Sequence, residues 1–388
     1  MTAALDGQPA HKQRLLRRVK RVVVKVGSNV VAGPTGLRRG RVRALAADIA
    51  ALAADGRQVV VVTSGAVAAG AARLGARRAR VEWRQAAAAV GQPSVMAAWE
   101  RAFAAHGRHV AQVLLTHADV SDRRRYLNAR HTLRTLLGLG VVPVVNENDT
   151  VAVEELQFGD NDNLSALTAA LVEADLLIVL TDVAGLHTGD PRVDPAATLV
   201  AVARAADALV TRAAGPARSG VGTGGMASKL AAARKAAAAG IPTVIADGTR
   251  AGVLRTVFDP ALAVGTLLLA DGDPLTRRKH WIAYTLKPAG AIRLDAGAER
   301  AVVQGGRSLL PSGIRDVEGT FGVGDCVRVI GPDGRECARG LVSYGAAELE
   351  RIKGAHTRDI ERLLGYKGSD EVIHRDDLVV VAPTPPSG

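Results

Sequence analysis

RVVVKVGSN, residues Arg21–Asn29, reads as a strand that runs into a glycine loop. Apart from Lys25, the run from Val22 to Val26 is all valine, with no alternation of apolar and polar side chains. A strand of that kind buries both faces, as in a parallel sheet covered by helices, and not in a sheet with one wet side. Working outward, similar runs occur at Gln58–Thr63, Val110–Leu115, Val141–Asn146, Leu176–Thr181, Thr243–Ala246 and Thr266–Leu269. Ala-rich segments of helical length lie between several of them: Arg41–Ala54, Asn163–Glu173 and Met226–Ala239. That rhythm predicts βαβ units and an α/β fold, a three-layer sandwich around a mainly parallel central sheet.

The pattern changes after residue 272. Residues 273–289 are mixed, contain Pro274 and Pro288, and read as a linker. Beyond them come short β-like runs at Ala301–Val303, Cys326–Ile330, Arg339–Ser343 and Leu378–Val381. Pro332–Gly334 is a turn, because proline presets φ and glycine accepts a positive one. Short strands at close spacing predict a small β-barrel-like domain over residues 290–381. The larger domain spans 21–272. Residues 1–20 form a basic tail or short helix, and the Pro-rich residues 382–388 a disordered tail.

Composition excludes several classes. The 388 residues are 48% hydrophobic but only 3% aromatic, so Ala, Val and Leu must fill the core. No run of about 18 uncharged apolar residues argues for a membrane span. The basic start lacks the apolar stretch of a secretory signal, so a cytoplasmic chain is expected. Cys326 and Cys337 are too few for a four-ligand zinc site and read as ordinary thiols. His106 and His109, three apart, lack the further ligands a metal site needs. The net charge is +12, yet residues 290–388 hold 13 Lys/Arg against 15 Asp/Glu. The excess therefore sits in the larger domain, where a positive field would gather acidic ligands.

Five motifs carry chemistry. KVGSN places Lys25 and Gly27 at the carboxyl end of the first strand, where α/β sheets bind ligands; Lys supplies charge and Gly lets backbone approach a phosphate. TSGAVAAG, Thr63–Gly70, puts Ser64 and Gly65 between a strand and a helix, a seat for an anion or a cap for the helix. NENDTV, Asn146–Val151, and FGDNDNLSA, Phe158–Ala166, gather Asn, Asp and Glu residues near a strand and before a helix. A cap needs one such residue, not Asp160, Asn161, Asp162 and Asn163 together, so the surplus points to a ligand. LTDVAG sets Thr181 and Asp182 at another strand end. GTGGMASKL, Gly222–Leu230, leads glycines into a helix that holds Lys229, a phosphate cradle. The glycines at 220, 222 and 225 mimic a dinucleotide fingerprint, but no strand precedes them, and no Walker-type loop occurs anywhere in the sequence.

In this order and spacing, these motifs closely resemble the amino acid kinase family, and within it the branch that phosphorylates the side-chain carboxylate of glutamate. The segments PAGAIRLDAGA, LLPSGI and VIHRDDLV are similar to a PUA domain. The resemblance covers residues of about 21 to 381. It implies that Lys25 and Lys229 contact the phosphates of ATP and that Asp162 organises both lysines. It implies a glutamate site of Ser64, Gly65, Asp149 and Asn161. It implies a nucleotide site of Lys25, Gly27, Thr181, Asp182, Thr223, Gly224, Gly225, Met226, Ala227, Ser228 and Lys229. Where the family has Ser or Thr, this chain has Ala227 and Ser228. The implied cofactors are ATP and Mg²⁺, with no protein metal cage. The implied partners are L-glutamate, L-proline as feedback inhibitor, and further copies of the chain in a homo-oligomer. Rival readings are a kinase for aspartate, acetylglutamate or a nucleoside monophosphate, and an RNA-binding protein acting through the PUA-like region. The near-neutral charge of that region argues against strong RNA contact.

Overall fold

The computed structural model describes residues 15–75, 80–152, 161–191, 193–205, 207, 210, 225–259, 262, 264–270 and 288–381. These fall into two compact units, one drawn from 1–121 and 129–271, the other from 122–128 and 272–388. Residues 1–14 of the expected basic tail, most of the 273–289 linker, the tail from 382, and Asp160, Thr223 and Gly224 lie outside the described residues.

The first unit is built on an eight-stranded sheet. Its strands are β1 (Arg21–Val26), β4 (Gln58–Val62), β5 (Val110–Leu115), β6 (Val142–Glu147), β7 (Leu176–Thr181), β8 (Val202–Arg204), β9 (Thr243–Asp247) and β10 (Thr266–Leu269); β2 (Ala32–Gly33) and β3 (Gly36–Leu37) form a separate small ribbon. The order is β5-β6-β4-β1-β7-β9-β10-β8, and every pairing is parallel except β9 with β10. In this unit the seven strands expected from apolar runs are all present, with ends shifted by a residue at most.

Strand periodicity decides what each face carries. Val22, Val24 and Val26 join Val59, Val61, Ile178, Leu180, Val244 and Ala246 in one apolar cluster. Helices Arg39–Ala54, Val81–Ala104 and Val253–Phe258 supply its other side through residues such as Leu45, Ile49, Trp99, Phe103 and Leu254. Trp99 and Phe103 stack at 5.8 Å, and the Trp99 indole N–H donates to Thr63 Oγ1 at 3.0 Å. The alternate positions, Val23 and Lys25, face the opposite side. There helices Asn161–Leu171 and Met226–Ala238 pack on one another and complete the third layer.

β1 is the switch point. The chain leaves β1 toward β4 on one side, and β7 pairs on the other. A doubly wound sheet opens a crevice at the carboxyl ends of such strands. Lys25, Ser64 and Thr181 all sit there.

The second unit holds β11 (Gly290–Leu294), β12 (Ile314–Gly319), β13 (Cys326–Ile330), β14 (Glu336–Leu341) and β15 (Leu378–Val380) in the order β12-β11-β13-β14-β15. Its pairings are antiparallel except β11 with β13. The core is Ile292, Val327, Val329, Tyr344, Leu349, Ile352 and their neighbours. One expectation is overturned: Ala301–Val303 is not a strand but the end of helix Ala296–Val303. Asp295 caps that helix by accepting from the Ala298 N–H at 2.8 Å. A three-residue apolar run carries too little periodicity to separate the two forms, and the cap decides it. Cys326 is buried and Cys337 half-buried, and neither forms a disulfide.

Candidate functional site

Asp162 is the centre. It stands in the first turn of helix Asn161–Leu171 and is fully buried. Its Oδ1 lies 2.6 Å from Lys25 Nζ, and its Oδ2 lies 3.3 Å from Lys229 Nζ. Ser228 donates to the same Oδ2 at 2.7 Å. The two lysines are 5% and 4% exposed, so neither is a surface charge that happens to lie nearby. Burial alone would raise the Asp162 pKa; the charges of Lys25 and Lys229 and the bonds from Lys25 and Ser228 outweigh it and hold the carboxyl below its ordinary value. Burial pulls Lys229 below its ordinary value against the attraction of Asp162. The arrangement keeps two cations at one spot, with a single carboxylate between them.

Sequence periodicity explains the convergence. Lys25 is on the inward-alternating face of β1, opposite Val62 and Val179 in the neighbouring strands. Lys229 is one turn into its helix, directly after Ser228. Lys235, further along, bonds Asn163 and ties the two helices together.

A second group lies beside this centre. Asn161 Nδ2 donates to Ser64 Oγ at 3.0 Å and to Asn146 Oδ1 at 3.1 Å. Asn146 Nδ2 donates to Gln92 Oε1 at 2.8 Å. Ser64 therefore faces Asn161 and does not cap the following helix. That cap position is Gly65, whose φ of 102° only glycine adopts without strain. Asp149 lies in the turn after β6. Burial pushes its carboxyl up to about 6, only partly opposed by Arg84 on helix Val81–Ala104.

A third group lies at the carboxyl ends of β1 and β7. Asp182 accepts from Asn29 Nδ2 at 2.9 Å and from Thr181 Oγ1 at 3.1 Å. The bond from Asn29 is the main cause holding the Asp182 carboxyl below its ordinary value. The Gly27 amide is committed to Leu180 O at 2.9 Å, so it is not a free phosphate donor. Gly225 stands at the N-cap of the helix that carries Met226, Ala227, Ser228 and Lys229.

The profile of the amino acid kinase family matches residues 20–247, and that of the PUA domain residues 290–364. A "Glutamate 5-kinase" from Geobacter sp. (strain M21) is 52% identical over 373 residues, covering 95% of this chain and 100% of the relative. One from Myxococcus xanthus (strain DK1622) is 52% identical over 369 residues, covering 94% and 97%. The chain belongs to the glutamate 5-kinases of the amino acid kinase family. A solved UMP kinase from Bacillus anthracis overlays with a TM-score of 0.46 at 19% identity, covering 66% of this chain and 97% of that one.

In this glutamate 5-kinase chain, Lys25, Asp162, Ser228 and Lys229 form one bonded group, Ser64 and Asn161 bond each other beside it, and Thr181 and Asp182 bond each other at the end of β7. Three further residues that the sequence reading did not name individually are bonded to these: Gln92, Asn146 and Asn29. Asn29 and Asn146 lie inside motifs already singled out. Gln92 sits in an Ala-rich helix with no motif around it, and only its polar side chain in an apolar stretch could have drawn attention.

Proposed function

We propose that this chain transfers the γ-phosphoryl group of ATP to the side-chain carboxylate of L-glutamate, giving L-glutamyl 5-phosphate, the first step toward proline. The observation that carries the reading is one buried carboxylate, Asp162, holding two lysines from opposite ends of the domain's sequence.

The acceptor carboxylate, with an ordinary pKa near 4.3, is already ionised at neutral pH. No general base has to make the nucleophile. The reaction needs alignment and charge neutralisation, because phosphoryl transfer passes through a loose state with charge on the peripheral oxygens. Lys25 and Lys229 supply the neutralising charge, and Asp162 holds both in register. Thr181, Asp182 and the segment Gly225–Lys229 line the nucleotide, while Ser64, Gly65, Asp149 and Asn161 hold the acceptor.

The donor set fits Mg²⁺ brought in by the nucleotide. Among the described residues, no group of three or more His, Cys, Asp or Glu side chains could cage a metal, and Asp162 is already engaged by two lysines and a serine. An ion held by phosphate and water oxygens needs few protein ligands, and Asp182 would meet it. When bound, it adds charge neutralisation on the phosphates.

The test is hydroxylamine trapping: enzyme, ATP and glutamate should yield a glutamyl hydroxamate, and its absence with every component present refutes the reading. Family resemblance further supports L-proline as inhibitor and a homo-oligomer built through the kinase unit. Added proline should depress hydroxamate yield, and light scattering should give a multiple of 40.2 kDa.

A further inference from the structure

The hydrogen bonds beside Asp162 form a chain with a direction. Asn161 Nδ2 donates to Asn146, and Asn146 Nδ2 donates to Gln92 Oε1. The second bond of Asn161 Nδ2 goes to Ser64. Both protons of the Asn161 amide are thus committed, so Asn161 has no donor left for a carboxylate. Two buried atoms at the ends of the chain have no partner: the acceptor Asn161 Oδ1 and the donor Gln92 Nε2. Turning Gln92 alone would set its amide nitrogen against the Asn146 amide nitrogen, so its orientation goes with those of Asn146 and Asn161.

Buried polar groups are nearly always paired, so an orphan donor and an orphan acceptor at the two ends of one network are places that a ligand or a water completes. An amino acid does so, with a cationic amine for one end and a carboxylate for the other. Helix Val81–Ala104 is well placed for the task. Gln85 and Gln92, two turns apart on one face, both reach the 146–152 stretch: Gln85 Nε2 lies 3.5 Å from Ala152 O. Arg84 on the same helix acts on Asp149.

We propose that Gln92 is a specificity-determining residue of the acceptor site, its Nε2 donating to the α-carboxylate of the amino acid while Asn161 Oδ1 and Asp149 take the amine. The assignment rests on glutamate being the acceptor. It adds to the residues read from sequence the one amide that still has a donor to give, and it explains how the site would tell an α-amino acid from a simple carboxylic acid or amine.

Two analogues separate the ends. Glutarate lacks the amine, and 4-aminobutyrate lacks the α-carboxylate. In Gln92→Met, the KM for glutamate and the inhibition constant of glutarate should each rise by roughly 10- to 100-fold, the worth of one hydrogen bond to a charged group. The inhibition constant of 4-aminobutyrate and the KM for ATP should stay within about twofold, inside ordinary variation for a site left intact. A uniform rise for all three acceptor-site ligands would mean a packing role, and no rise for any would mean no role; either overturns the proposal. Gln92→Glu keeps the acceptor that Asn146 needs and replaces only the donor, so it must show the same selective pattern if Gln92→Met melts early. Failure of the wild-type enzyme to form hydroxamate from glutamate would strike the function itself and not this residue.

Discussion

At the scale of single residues, charge placement governs both rate and stability. Lys25→Ala or Lys229→Ala should lower kcat by roughly 10²–10³-fold, the scale for removing one preorganised charge donor, and steady-state kinetics with saturating glutamate would check it. Asp162→Asn acts differently. It leaves two ammonium groups buried side by side with no counter-charge, which costs about 3–5 kcal/mol on removal of one partner from a buried pair, and should appear as a large drop in melting temperature. Asp162 has a lowered pKa in the fold, so its stabilisation is complete above the unfolded value near 3.9 and is lost as pH falls through the lower, folded value. Asp149 has the opposite sign. Its carboxyl is pushed up to about 6, so it takes a proton as pH drops through that value and loses its hold on an ammonium group. The KM for glutamate should therefore rise below about pH 6 while that for ATP stays level, and Asp149→Asn should flatten the profile. The three central residues were legible because Lys and Asp at strand and helix ends, inside glycine- and asparagine-rich motifs, have few other uses. Gln92 was not, since nothing local distinguishes a ligand-facing glutamine from a solvated one.

At the scale of elements, the network from Ser64 to Gln92 depends on how closely two helices approach. Helices Ala66–Leu74 and Val81–Ala104 cross at Gly70 and Gly91. A Cβ at Gly70 would lie 1.7 Å from Ala87 O, and one at Gly91 would lie 1.9 Å from Ala66 O. Those contacts are backbone, so no side-chain rotation relieves them. The crossing sets Ser64, just before the first helix, at a fixed distance from Gln92, the neighbour of Gly91. Gly91→Ala should cost about 1–3 kcal/mol or more by overpacking and should also raise the KM for glutamate. Gly40→Ala, in helix Arg39–Ala54 where a Cβ meets nothing within 4 Å, should instead stabilise by roughly 0.4–1 kcal/mol. Thermal melts of both variants against the parent would test the contrast. The strands were readable because a continuous Val, Ile and Leu run bounded by polar residues has few alternatives in an α/β chain. The crossing helix was not, because an Ala-rich stretch with Pro93 inside it has weak periodicity and its glycines look like breaks until the partner backbone is seen.

At the scale of the whole molecule, the chemistry is confined to one unit. Lys25, Ser64, Gln92, Asn146, Asp149, Asn161, Asp162, Asp182 and Lys229 all belong to the part drawn from 1–121 and 129–271. That unit has its own apolar cluster around Val24, Leu45, Trp99 and Ile178. The second has another around Ile292, Val329, Tyr344 and Ile352. The sequence showed this division through its change of rhythm and through the charge excess that stops before residue 290. Each apolar cluster lies within one unit, and only residues 122–128 of the earlier part of the chain group with the second. A chain ending at residue 271 should therefore melt cooperatively and keep glutamate-dependent ADP release, with kcat and both KM values within about threefold of the full chain, since no described site residue has been removed. Residues 288–388 expressed alone should likewise melt cooperatively and show no kinase activity. A truncated enzyme that stays folded yet loses turnover would mean that the C-terminal unit supplies part of the catalytic apparatus, and the placement of all the chemistry on the carboxyl edge of the large sheet would have to be abandoned.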